Sequence, residues 1–190
     1  PHDYEPHRKY PLILTLATNT FNGISYCFLD EPQTEPVIHV DVTGRGVTGG
    51  SYTGEASILE VLDWVKKHFS VDDSRIYAMG YSNGGFAAWT MAQKHPDLFT
   101  AIYPLASSTN KDELCNLSNT HVYVMLSDSV YKGRRNPFSS LRRYGKYHPY
   151  HLDGFQHLNF RVYLKPYRLL EQMLTNRREP YPSHIRFHTR

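Results

Sequence analysis

Lys9–Asn19, KYPLILTLATN, is a near-continuous apolar run of strand length, the pattern of a strand buried on both faces. Pro36–Gly44, PVIHVDVTG, is a second such run, closed by glycine. In Gly54–Phe69 the spacing changes: Ile58, Leu59, Leu62 and Val65 recur at helical intervals. Lys66, Lys67 and His68 fall in the last turn of that segment, where cations complement the helix dipole. Ser74–Gly80 reads as a short strand, and Asn83–His95 as a helix stopped by Pro96. Phe99–Ala106 and His121–Ser127 are two further strand patterns. Asn136 is an N-cap candidate, Pro137 suits the first helical position and Gly145 the position past the end, which predicts a helix between them. Lys146–Leu152 is a weaker strand, and Lys165–Arg178, with Pro166 at its start, a last helix. Glu179–Arg190 reads as irregular.

Strands and helices alternate throughout. That order predicts an α/β fold: a mostly parallel sheet of about six strands with helices on both faces. The 190 residues suffice for one domain with its own core, and no internal repeat or linker divides them. Composition agrees, with 40% apolar and 21% charged residues. No apolar run is long enough to cross a bilayer, so no membrane contact is expected. The opening PHDYEPHRKY has no signal-peptide pattern and no initiator methionine, and reads as the start of an excised or processed piece. Cys27 and Cys115 are expected to be unpaired thiols.

The net charge of +3 conceals an asymmetry: residues 1–130 carry 8 basic against 15 acidic side chains, and residues 131–190 carry 13 against 3. The basic positions are spread through Tyr- and Leu-bearing segments with no nucleic-acid motif, so nucleic acid is not the expected partner. Another domain or subunit with an acidic face would suit them.

One stretch carries chemistry. Gly80-Tyr81-Ser82-Asn83-Gly84 fits G-x-S-x-G and falls between a strand and a helix, at the strand's C-terminal end. A nucleophile on so sharp a turn needs neighbours without Cβ atoms, and the helix N-terminus beneath it favours a developing oxyanion. The same glycines would also serve a turn that merely packs a helix closely on the sheet. A serine nucleophile needs a base, and the base an orienting carboxylate. Asp128 directly follows the strand His121–Ser127, and His157 lies in LDGFQHLNF before the last helix, giving the chain order Ser, Asp, His. Asp153 is a rival acid only four residues from His157, and Asp112 and Glu113 are more remote choices. His148 and His151, in or beside a strand, are rival bases.

These motifs resemble the α/β-hydrolase superfamily, most nearly its prolyl oligopeptidase-like branch and the related polyester depolymerase and feruloyl esterase-like enzymes. The resemblance is carried by KYPLIL, by GRG, by the long stretch from GEASILEVLDWV through YSNGGFAAW to DLFTA, and by GFQH. It implies an α/β-hydrolase fold and a serine hydrolase that forms an acyl-enzyme on an ester or peptide substrate, with no cofactor or metal. Ser82, Asp128 and His157 match the family's triad, and the backbone N–H groups of Asn83 and Asn19 match its two oxyanion donors. Arg45 and Tyr81 are the substrate-binding candidates, a structural role in a tight Gly turn being the other reading of Arg45. The chain departs from the pattern twice. Ala17 and Thr18 stand where such families carry a His-Gly pair, which puts the Asn19 donor in question. The chain also starts just before the family's third strand, so the first two are absent. A non-enzymatic hydrolase-like module is therefore the alternative reading.

Overall fold

The computed structural model describes residues 1, 3–16, 35–43, 51–109, 113–127, 138–144, 146–152 and 169–188. Six strands form one parallel sheet: β1 (Tyr10–Leu16), β2 (Ile38–Val42), β3 (Val71–Tyr81), β4 (Ala101–Leu105), β5 (His121–Ser127) and β6 (Tyr147–Leu152). Their spatial order is β2-β1-β3-β4-β5-β6. The order reverses at β1, which pairs with β2 on one side and β3 on the other. The crevice at the C-terminal ends of β1 and β3 is thus a topological switch point, where open parallel sheets hold their ligands.

Alternation along β1 divides the core. Tyr10, Leu12, Leu14 and Leu16 join a cluster with Ile58, Leu62 and Val65 of α1 (Tyr52–His68) and Ala87, Ala88, Trp89, Met91 and Ala92 of α2 (Asn83–Lys94). Ile13 points to the other face, where Tyr77, Met79, Tyr103, Leu105, Tyr123 and Met125 pack with Leu170, Met173 and Leu174 of α3 (Leu169–Leu174). Helices cover both faces, as the alternation of segments predicts.

The ends differ from the sequence reading at particular places. α1 begins at Tyr52 because the Ser51 hydroxyl accepts from the Gly54 N–H at 3.3 Å. β3 begins at Val71, three residues early, where Tyr10 pairs with Val71 before a register shift restores Leu12 opposite Ile76. The helix predicted from Asn136 is, among the described residues, a 3-10 helix over Ser139–Tyr144. Phe138 and Leu141, three apart, are both buried, and the Leu141 N–H bonds the Phe138 carbonyl at 3.0 Å. An i, i+3 pair eclipsed on one side suits the tighter helix. A second 3-10 turn, Leu114–Asn119, repeats this with Leu114 and Leu117 buried. The last helix ends at Leu174 rather than Arg178. The Asn176 side-chain amide donates to the Gln172 and Met173 carbonyls, and the Arg178 N–H turns away to the Ser74 carbonyl. Beyond it the chain is irregular, as expected, but tied down: Asn116 bonds the His188 backbone twice and Asn119 bonds the His184 carbonyl.

Candidate active site

Ser82 stands where β3 ends and α2 begins, with φ 53° and ψ −115°. Only one other described non-glycine residue, Ala106, has a positive φ. A serine there is strained by an amount on the order of 1–3 kcal/mol, which surrounding structure must supply. The turn is held by the Ser82 N–H, which donates to the Leu105 carbonyl at 2.9 Å, and by the Ser82 carbonyl, which accepts from Phe86 at 2.9 Å. The hydroxyl does not cap α2, and among the described residues nothing bonds it.

The glycines around it have steric causes. A Cβ on Gly80 would lie 2.3 Å from the Gly84 carbonyl carbon. A Cβ on Gly85 would lie 2.5 Å from Ser107 Oγ and 2.8 Å from the Leu105 carbonyl oxygen. The first turn of α2 therefore rests directly on the ends of β3 and β4. That turn contains no acidic side chain, so the positive end of the helix dipole is unopposed beside Ser82. Asn83, at the first helical position, is exposed and offers a backbone N–H there.

Tyr81 is 9% exposed and packs in the α3-side core cluster, where burial raises its pKa. Asn19, Arg45, Asp128 and His157, and the rivals Asp112 and Asp153, lie outside the described residues. The strands that lead to them are described. Leu16 pairs with Gly80, so the chain leaves β1 level with the serine turn, three residues before Asn19. Ser127, which precedes Asp128, pairs with Leu152, five residues before His157. All the strands are parallel, so these exits share one edge of the sheet with Ser82.

His148 lies near the opposite edge. Its Nε2 is 3.0 Å from Nδ1 of His121, with ring centroids 5.3 Å apart and planes within 13°. The centroid separation is about the N···N distance plus the two ring radii, so the rings lie edge to edge and share an in-plane N–H···N bond. Burial, with Lys146 and His148 adding to it, holds His121 down to about 4, and burial lowers His148. The pair is neutral near pH 7 and is occupied with packing. The sequence reading did not single out Thr15 and His39, whose Oγ1 and Nε2 are 2.6 Å apart. Cys115 is a free thiol, and Cys27 lies outside the described residues. Among the described residues no cluster of three His, Cys, Asp or Glu side chains is arranged to hold a metal.

Comparison with known proteins agrees with this fold. An 80-residue stretch is 38% identical to poly(3-hydroxyalkanoate) depolymerase C of Paucimonas lemoignei, covering 42% of this chain and 19% of that protein. Among solved structures, a thermostable esterase superposes with a TM-score of 0.76 at 17% identity, over 94% of this chain and 58% of that one. The feruloyl esterase module of Clostridium thermocellum, complexed with sinapinate, gives 0.66 at 14% identity, over 100% and 83%. The acylaminoacyl peptidase of Pyrococcus horikoshii gives 0.65 at 12% identity, over 97% and 39%. At such identities the structural likeness is one of fold, and the chain spans about a fifth of the depolymerase and under two thirds of the thermostable esterase. The prolyl oligopeptidase family matches residues 41–151, from β2 through the serine turn to β6. With the family's sequence pattern over more than half its length and the strained serine turn at the sheet's switch point, this chain belongs to the prolyl oligopeptidase family and has the α/β-hydrolase fold.

Proposed function

We propose that the chain is a serine hydrolase that cleaves ester or peptide bonds through an acyl-enzyme, with Ser82 as nucleophile. The observation that carries this reading is the backbone of Ser82, held at φ 53° between β3 and α2 with its hydroxyl uncommitted among the described residues. Strain of that kind at a strand-to-helix turn has a use when it lifts a nucleophile above a helix N-terminus.

In the proposed reaction His157 takes the Ser82 proton as Oγ attacks the substrate carbonyl. The backbone N–H groups of Asn83 and Asn19 hold the oxyanion, and Asp128 keeps the imidazole in the right tautomer. The leaving alcohol or amine takes the proton from His157. Water, deprotonated by His157, then releases the acid and restores Ser82. Arg45 and Tyr81 are the proposed substrate contacts, and neither cofactor nor metal is required. Esterases and peptidases both occur among the proteins of like fold, and the polymer of the depolymerase is itself a polyester, so an ester is the first substrate to try.

A fluorophosphonate probe tests the reading. Wild type should label at one site and Ser82→Ala not at all. A folded wild type that fails to label, or an equally labelled Ser82→Ala, refutes it. The second reading is a hydrolase-like packing module for another domain or subunit. Thr18 in place of a glycine before the Asn19 donor favours it. That reading predicts no labelling and no turnover of any activated ester.

A further inference from the structure

Ser82 and Ala106, the two described non-glycine residues with positive φ (53° and 46°), stand side by side on neighbouring strand ends. Tyr81 pairs with Leu105 where β3 and β4 end, so the residues that follow are level. The bond from the Ser82 N–H to the Leu105 carbonyl, 2.9 Å, is the last rung of that parallel ladder. The next rung would run from the Ser107 N–H to the Ser82 carbonyl, which accepts from Phe86 instead. Ser82 turns into α2, and Ala106 turns at the same level. Its left-handed turn brings Ser107 against α2, where Ser107 Oγ and Cβ lie 2.5 and 2.8 Å from the place a Cβ on Gly85 would take. The Leu105 carbonyl oxygen, also 2.8 Å from that place, completes the contact. The Ser107 hydroxyl is buried and bonds nothing among the described residues, so packing rather than a side-chain hydrogen bond seats it there.

The conformation of Ser82 has a use in the proposed chemistry. Alanine carries no chemistry, yet Ala106 is held in a conformation that L-residues other than glycine rarely adopt. Such strain persists where the surroundings over-determine it, and it clusters at functional sites. On the reading of Ser82 as the nucleophile, we propose that Ala106 is a positioning residue. Its left-handed turn braces the first turn of α2 through Leu105 and Ser107, and so fixes the Ser82 hydroxyl and the Asn83 N–H relative to each other. With Ala106 extended, Ser107 would leave Gly85, and that turn of α2 would lose one of its two supports. The brace acts on position and not on charge, since Ala106 offers only a methyl group, packed against the α3-side cluster. Its loss therefore shows in the rate of acylation rather than in affinity.

The test pairs fluorophosphonate labelling kinetics with hydrogen exchange. Ala106→Val opposes the turn, because a β-branched side chain disfavours the left-handed region. Ser107→Gly removes the bracing atoms without adding bulk, which keeps the test open should the valine variant fail to fold. Each is expected to lower the limiting labelling rate about 10²-fold, with the half-saturating probe concentration within about twofold of wild type. The Ser82 and Phe86 amides should exchange at least about tenfold faster, and the Leu12 amide in β1 at the wild-type rate. Ala106→Gly, the substitution that keeps the turn, should retain at least about half the wild-type labelling rate. Wild-type labelling rates in the folded variants overturn the proposal. So does a Leu12 amide that speeds up with the others, since Ala106 would then act on global stability alone. A wild type that never labels overturns the reading of Ser82, and with it any catalytic role for the brace. Unchanged Ser82 exchange in the variants overturns the brace by itself, whether or not wild type labels.

Discussion

Gly80 and Gly84 touch across the serine turn so closely that the missing Cβ of Gly80 would sit 2.3 Å from the Gly84 carbonyl carbon and oxygen. The obstacle is backbone, which cannot swing aside as a side chain could. Gly80→Ala must therefore push α2 off the end of β3. It is expected to cost about 3 kcal/mol, at the upper end of overpacking, or to prevent folding. Urea denaturation measures it, and an alanine variant within about 0.5 kcal/mol of wild type would show that the turn is looser than described.

Ser82→Gly should separate stability from activity. Glycine adopts φ 53° without strain, although it adds freedom to the unfolded chain. The net expectation is stabilisation by about 1 kcal/mol, which raises Tm by about 2–4 °C in a chain of this size. Ester turnover should vanish in the same variant. A lower Tm would mean that the serine side chain makes contacts worth more than the strain.

The choice between the two acids can be read from kinetics. Asp128→Asn is expected to lower kcat about 10⁴-fold with folding intact, the loss that follows when a triad imidazole takes the wrong tautomer. Asp153→Asn should change it less than about tenfold. The reverse pattern would move the orienting role to Asp153.

The His121–His148 pair gives stability a pH dependence of defined sign. Both groups titrate below their ordinary value in the folded protein, His121 at about 4. The unfolded chain binds more protons between that value and the ordinary histidine pKa of about 6.5, so stability is full above that range and falls as pH drops through it. Glu55 and Asp72 act lower. Burial opposes the shift in each. Hydrogen bonds from Lys94 and His95 still hold Glu55 below its ordinary value, and those from Ser74 and Arg177 do so for Asp72. Their contribution is lost only as pH falls through the lowered carboxylate values. Tm measured from pH 7 to pH 4 should decline, and His121→Asn should flatten the upper part of that decline. An unchanged slope in the variant would place the titrating groups elsewhere.

Periodicity made most of the sheet legible, because a strand buried on both faces has few ways to look. Tyr10–Leu16 is buried at every position, and its sequence is apolar at nearly every one. The serine turn was legible for a different reason, since Gly80 and Gly85 each answer to a particular contact. What escaped depends on partners distant in sequence. The helix end at Leu174 has a local part, the Asn176 amide on the Gln172 and Met173 carbonyls, and a distant one, the Ser74 carbonyl drawing off Arg178. Nothing local distinguishes an α-helix from a 3-10 helix at Ser139–Tyr144, where Phe138 packs parallel to Trp89 at 5.3 Å. His148 looked like a possible base until His121, twenty-seven residues before it, claimed one of its nitrogens.

The reversal of strand order at β1 also dictates a sequence of events on the ribosome. β1 is made before β2 and β3, yet its inner neighbour is β3, with Leu12 opposite Ile76. Of the six described strands, β1 and β2 have only each other to pair with until β3 has emerged, and a two-stranded pair is by itself too small to persist in water. From β3 onward each new strand docks beside the one made just before it, so the sheet then grows steadily in one direction. The nascent chain is most exposed to wrong pairing while Tyr10–Leu16 waits, and a holding chaperone would find its target in that apolar stretch.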